Sequence, residues 1–298
     1  MFDIIGKYKL WFTLSILSIV IGMTAVGVLG LKFSLDFTGG SLMELRFNDG
    51  RPSTAEIATI LSQHELDRAQ IQPSGDQDFL IRSQTIDESK HQVVLQALRD
   101  GTKKDITELS FQSIGPSIGK ELQTKSIWSI LIVIFAIISY IAFAFRKVSK
   151  PVASWKYGAA AVIAMIHDLL TAIGIYAIVA HFTGWEVDGL FITALLTILG
   201  FSVHDTIVTF DRTRELLRRT NTTDFAATVN EAINQTIVRS LNTSITALLT
   251  LTAIFLFGGS STRHFIFVLI VGIVVGTYSS IFVASPILVL WNKLQKKS

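Results

Sequence analysis

Residues 200–214 read GFSVHDTIVTFDRTR, and this stretch decides what kind of chain this is. His204 and Asp205 fall inside the last two turns of an apolar run that begins near Leu190, ahead of the charged residues Asp211, Arg212 and Arg214. A carboxylate in lipid is costly unless it is protonated or paired, so an aspartate placed there is a candidate functional residue. At helical spacing Ser202, Asp205, Thr209 and Arg212 form one stripe, which predicts an inward face rather than a lipid face. The plainer alternative is a helix-to-helix hydrogen bond, although an amide or hydroxyl would serve that purpose at lower cost.

The composition around this stretch is that of a membrane protein. Half of the 298 residues are hydrophobic, 16% are charged and the mean hydropathy is +0.51, outside the range of ordinary soluble domains. Six apolar stretches are long enough to cross a core of about 30 Å: Leu10 to Leu31, Ile127 to Phe145, Tyr157 to Phe182, Leu190 to Phe210, Leu241 to Phe257 and Phe265 to Trp291. The sequence has no cysteine, which excludes disulfides and thiolate metal sites.

Charge placement predicts the orientation. Lys7 and Lys9 precede the first span, and Arg146, Lys147, Lys150 and Lys156 surround the turn after the second. Arg212, Arg214, Arg218, Arg219 and Arg239 fill the turn after the fourth, and Lys293, Lys296 and Lys297 end the chain. The short loops near Gly184 to Gly189 and Gly258 to Arg263 hold a single arginine, so both termini are expected on the cytoplasmic side. The first span lacks an A-x-A cleavage site and reads as an uncleaved anchor.

Three regions follow: residues 1–31 with the first span, an exoplasmic α+β domain over 32–125, and a bundle of the other spans over 126–298. Within the middle region Ser41 to Phe47 alternates as a strand, and Ser53 or Thr54 caps a helix carrying Ile57, Ile60 and Leu61. Short strands near Ala69 to Gln72 and Asp78 to Arg82, a helix from Asp87 to Arg99 and a strand from Ile106 to Ile114 complete a βαββαβ order. That order predicts a ferredoxin-like plait. It has no nucleophile constellation, phosphate loop or metal spacing, and His64 and His91 are lone helix histidines expected at the surface. It reads as a moving or binding domain, not a catalytic one.

Asp36-Phe37-Thr38-Gly39-Gly40 follows the first span, and Gly115-Pro116-Ser117-Ile118-Gly119 precedes the second. These are expected as a hinge or clamp between the domain and two helices. In the third span His167 and Asp168 lie near the centre, with Ala161, Ala164 and Thr171 on the same face as Asp168; helix packing and proton handling both remain open for it. In the fifth span Arg239, Asn242, Thr243, Thr246 and Thr250 line one side. Arg239 is either a snorkelling interface charge or the counter-ion of Asp205. Gly272, Gly276 and Ser280 recur every fourth residue in the sixth span, a helix-packing stripe. Residues 222–238, with Phe225, Val229, Ile233 and Ile237 every four residues, predict an amphipathic helix along the cytoplasmic surface. Six spans with one large domain after the first is the layout of half a transporter.

DFTGG at 36–40, GPSIGKEL at 115–122, HDLLTAIGIYAI at 167–178, GFSVHDTIVTFDRTRE at 200–215, RSLNTSITALL at 239–249 and GTYSSIFVASPILV at 276–289 together resemble the SecF subunits of the SecD/SecF protein-export family. The resemblance spans nearly the whole chain and implies half of an RND-like bundle in the bacterial inner membrane. It further implies a six-span SecD partner, the SecYEG translocon, the accessory subunit YajC and translocating precursor proteins as partners, with no nucleic acid. The implied work is proton-motive-force-driven assistance to precursor translocation and release, with no bound cofactor and H+ as coupling ion, Na+ being the alternative. The family's intramembrane aspartate and arginine fall on Asp205 and Arg239. The family commonly has asparagine before that aspartate, where this chain has His204. His204 and Asp168 therefore join the proton-coupling candidates, and no catalytic or metal residue is expected. Two rival readings remain: an intramembrane aspartyl protease using Asp168 and Asp205, which lacks the G-x-G-D pattern, and a structural scaffold that moves no ion.

Overall fold

The structure is a computed structural model describing residues 2–145, 152–220 and 224–295. Arg146, Lys147, Lys150, Lys296 and Lys297, which carry part of the orientation reading, lie outside the described residues, as do 222 and 223 of the predicted surface helix. In chain order come α1 (Tyr8–Leu29), the single turn α2 (Leu35–Thr38), β1 (Gly40–Phe47), α3 (Thr54–Ser62), β2 (Gln70–Ser74) and β3 (Asp78–Ser83). They are followed by α4 (Glu88–Thr102), β4 (Ile106–Ile114), α5 (Pro116–Ala144), α6 (Ser154–Thr183), α7 (Gly189–Thr220) and α8 (Phe225–Phe257). The last span is built from α9 (Ser260–Ser279), a π-helical turn (Ser280–Ala284) and α10 (Ser285–Gln295). The elements form two units, residues 33–126 and residues 1–32 with 127–298.

In the smaller unit, period-two alternation turns Met43, Leu45 and Phe47 of β1 to one side, where all are fully buried. The sheet order is β2-β3-β1-β4, and every neighbouring pair is antiparallel, which is the predicted plait. Ser53 caps α3 by accepting the Glu56 N–H at 3.2 Å, and Asp87 caps α4 through the Lys90 N–H at 2.8 Å. Ile57 and Leu61 of α3 and Val94, Leu95 and Leu98 of α4 complete the core over Phe79 and Ile81. His91 departs from its surface expectation: it is 2% exposed and its ring stacks on Phe111 at 3.7 Å. The reason is helical phase, since His91 shares the i, i+3, i+4, i+7 face of Val94, Leu95 and Leu98.

Among the described residues six helices are long and apolar enough to cross a membrane. The chain is a multi-pass membrane protein. Half of the most apolar window of α6 and of α7 and 61% of the last span are buried, against 11% of α1 and α8 and 6% of α5, so α6, α7 and α9 form the centre. The other three present most of their surface outward. Two helices meet backbone to backbone where α1 crosses α6: a Cβ added to Gly174 would lie 2.2 Å from the Gly22 Cα. The stretch expected as a surface helix is instead the first turns of α8, continuous with the fifth span, and its Phe225, Val229 and Ile233 are buried in the core. Asn230 and Asn234 of this part bind the chain's start, with Asn230 Oδ1 accepting from the Ile4 N–H at 2.9 Å and Asn234 Oδ1 from the Phe2 N–H at 2.7 Å. The core takes the apolar face of this stretch and the chain's first residues take Asn230 and Asn234, while Val238 stays 64% exposed.

Candidate functional site

α7 runs unbroken through the expected end of its apolar stretch, which keeps Ser202, Asp205, Thr209 and Thr213 in one helical register. All four are buried, at 2%, 2%, 1% and 0% exposure. Arg212, the charged end of the predicted stripe, is half-exposed and donates to Gln235 at 2.6 Å and to Glu215. Thr236 of α8 faces Thr209 at 3.4 Å, and Ser244 of α8 meets Thr277 of α9 at 2.6 Å, both buried. The centre of the bundle therefore contains a seam of hydroxyls around two carboxylates.

Asp168 is the better satisfied of the two. It is completely buried; its Oδ2 accepts from Ser202 of α7 and from Ser279 of α9 at 2.7 Å, and its Oδ1 meets His167 Nδ1 at 2.9 Å. Three spans are thus tied to one side chain. Gly276 makes room for this: a Cβ there would come to 3.2 Å from the Ser202 Cα and 3.7 Å from Asp168 Oδ2. Gly272, one turn earlier, leaves no space either, since its Cβ would lie 2.1 Å from Ile198 Cγ1. Ser280 is buried and donates to the Thr277 carbonyl at 3.0 Å within its own helix.

Asp205 is the less satisfied. Its Oδ1 lies 3.5 Å from Nδ1 of His204, whose ring is 58% exposed, and its Oδ2 is buried with no hydrogen bond closed to it among the described residues. On α8, Ser240 is the nearby hydroxyl and Arg239 the nearby charge. Ser240 is buried at 3% and Arg239 is exposed. The candidates named from the sequence thus separate: Asp168 lies in a closed network, while Asp205 is buried on α7 beside the exposed His204 and Arg239.

The glycine motifs meet in the smaller unit. Gly39 has φ +68° and Gly40 φ +119°, both in the region that favours glycine. A Cβ on Gly39 would lie 2.9 Å from the Pro116 Cα, and one on Gly119 would lie 3.0 Å from the Gly39 nitrogen and 3.1 Å from the Phe37 carbonyl. The turn after Asp36 and the first turn of α5 are therefore packed backbone against backbone. Gly115 has open space around a Cβ, with only Ser117 Oγ at 3.8 Å. Pro116 occupies the first position of α5, where its missing N–H costs nothing.

Comparison with known families bears on this arrangement directly. The family model described as protein export membrane protein SecD/SecF, C-terminal, matches residues 94–294, and the SecD/SecF GG motif matches residues 24–50. The chain belongs to the SecD/SecF protein-export family. It is 41% identical to the protein translocase subunit SecF of Anaerolinea thermophila, over 98% of this chain and 94% of that one. It is 37% identical to the SecF subunit of Synechocystis, over 95% and 91% of the two chains. The SecDF protein of Brucella abortus is 31% identical over 93% of this chain but 35% of its own length. The crystal structure of SecDF from Thermus thermophilus, a translocon-associated membrane protein, superposes with a TM-score of 0.80 at 31% identity, covering 98% of this chain and 39% of that one. This chain corresponds to one part of those longer SecDF chains and to nearly all of the separate SecF subunits.

Several contacts were not legible in the sequence. Ser279 lies in the GTYSSIF stretch, but nothing in its spacing marks it as a ligand of Asp168. Gly22 and Gly174 sit in separate spans and carry no shared motif, although small residues in spans are the general signal of close crossing. The π-helical turn at 280–284 had no signal beyond Pro286 two residues beyond it.

Proposed function

We propose that this chain is the SecF-type subunit of a Sec-associated complex in the bacterial inner membrane, with both termini cytoplasmic, and that it uses the proton-motive force to assist precursor translocation and release. The observation that carries the reading is the polar face of α8. Arg239, Asn242, Thr243, Thr246 and Thr250 are all exposed on a helix apolar and long enough to span. Charged and amide groups inside a span face another helix or a water-filled path, not lipid. A second membrane subunit is the natural cover, and the SecDF relatives, which carry additional chain beyond the part matched here, support SecD as that subunit. SecYEG, YajC and precursor proteins are the further partners implied by the family.

Coupling then rests on Asp205. Ionised, it attracts Arg239 at the edge facing the second subunit; protonated, it loses that attraction, and the helices repack. In this reading the exposed His204, 3.5 Å from Asp205, passes the proton, while Asp168, bonded across α6, α7 and α9, forms the rigid side of the device. Each charge crossing a 100 mV potential is worth about 2.3 kcal/mol, enough to bias a change of a few kcal/mol. The glycine-packed turn at Gly39, Gly40, Pro116 and Gly119 is where the exoplasmic domain takes up the movement. H+ is the proposed ion and Na+ the alternative.

A protease would need two carboxylates that share a proton. Asp168 instead has its oxygens engaged by Ser202, Ser279 and His167, which favours the transport reading. The test is export of a secreted precursor into inverted vesicles carrying the assembled complex, with and without a proton gradient. Asp205→Asn is expected to remove the gradient-dependent part and leave assembly intact. Full gradient-stimulated export by this variant would leave a scaffold role in its place.

A further inference from the structure

Lys293, near the end of α10, places its Nζ 5.6 Å from the ring centroid of Tyr8 in the first turn of α1, so the two ends of the larger unit meet there. Lys7 and Lys9 flank Tyr8 in the sequence. All three lysines are exposed, and none enters an ion pair among the described residues. Asp3 is the one acid in the first ten residues, and its Oδ1 accepts the Gly6 N–H at 2.8 Å. One turn further into the bundle a groove of about 390 Å³ opens between Phe12, Ile16 and Ile19 of α1, Ile163 of α6, and Val283 and Ile287 of the last span. Ile16 is 61% and Ile163 42% exposed along it.

We propose that this groove binds one anionic phospholipid, with an acyl chain lying between α1 and the last span and the phosphate held by Lys7, Lys9 and Lys293. Depth agrees with that occupant: from Phe12 to Ile19 the groove follows α1 for about 10 Å, within the roughly 15 Å of a single leaflet's hydrocarbon. Charge selects among lipids. Three cations without ion pairs among the described residues, on the turns of α1 and α10 that precede and follow the groove-lining residues, attract a net negative headgroup and gain nothing from a zwitterionic one. Tyr8 and Trp11, the latter donating Nε1–H to the Ile4 carbonyl at 3.1 Å, supply the aromatic ring-and-dipole pairing typical of the interface. His167, whose Nδ1 contacts Asp168, lines the same groove, so the lipid would sit directly behind the buried acid network.

The test uses the purified full-length chain in detergent, comparing phosphatidylglycerol, phosphatidylcholine and inorganic phosphate by native mass spectrometry and thermal unfolding. Phosphatidylglycerol is expected to be retained and to raise the unfolding temperature, with phosphatidylcholine weaker by about tenfold and phosphate alone without effect. Replacing Lys7, Lys9 and Lys293 together by glutamine should abolish the preference while leaving the lipid-free unfolding temperature unchanged. Ile16→Trp, which fills the groove, should reduce retention of both lipids. Equal retention of the two lipids by the wild type, a triple variant that keeps the preference, or stabilisation by phosphate alone would each overturn the proposal.

Discussion

Arg239 lies within electrostatic reach of Asp205, yet no ion pair closes between them within 4.0 Å, and Asp205 Oδ2 is buried with no hydrogen bond to it among the described residues. A buried oxygen left in that condition is costly unless the group is protonated or another chain completes it. The chain alone therefore holds an unfinished pair, with its acid on the inside of α7 and its base on the outward face of α8.

From this relationship the two residues should act as one unit. Arg239→Ala is expected to impair gradient-driven export nearly as much as Asp205→Asn, and the double variant should be little worse than either single one. Export assays on the three variants measure the coupling. Losses that simply multiply would mean that the residues work independently.

Asp168 should behave differently, as a structural hub. Ser202→Ala and Ser279→Ala each remove a buried donor to the same carboxylate oxygen, and each is expected to destabilise the bundle by about 1–3 kcal/mol. Thermal unfolding of the purified variants reads this. Unchanged unfolding temperatures for both would show that the hydroxyls contribute nothing to holding α6, α7 and α9 together.

Gly174→Ala puts a methyl group 2.2 Å from the Gly22 Cα, against backbone that cannot rotate away. Gly22→Ala is milder, since its Cβ would approach the Gly174 Cα to 3.0 Å. The first substitution should separate α1 from α6 at a cost of about 1–3 kcal/mol and the second at less. The ordering of the two unfolding temperatures is the measurement, and the reverse order would contradict the crossing geometry.

Asp188, just before α7, accepts from His264 Nε2 at 2.9 Å and from the Phe191 N–H at 2.8 Å. Burial pushes its carboxyl up, but the bond from His264, the Phe191 N–H and the His264 charge together outweigh burial and hold the group below the usual aspartate value. A carboxyl lowered by folding stabilises the fold fully above the unfolded value, about 3.9, and this contribution disappears as pH falls through the folded value. Unfolding temperatures followed from about pH 5 down to about pH 2 should drop more steeply for the wild type than for Asp188→Asn. Parallel curves would remove the pair from the acid response.

The sequence by itself determined the spans, the plait and the identity of the buried acids, because each is written in local chemistry. Lipid demands long apolar helices, so the six spans are legible from hydropathy alone. Strand alternation at Ser41 to Phe47 and the caps at Ser53 and Asp87 set the order of the small unit. An aspartate in an apolar run marks itself, and both Asp168 and Asp205 are buried as their surroundings require. Only the tertiary structure decided what each acid touches. Ser279 reaches Asp168 from 111 residues away, and no periodicity within one helix records which other helix will face it. The same limit hid the Gly22–Gly174 crossing, the burial of His91 beneath Phe111, and the docking of the chain's first residues on Asn230 and Asn234 at the start of α8. Local patterns fix which face of an element is buried; the partner on that face is set by packing between distant segments, which is a property of the assembled chain.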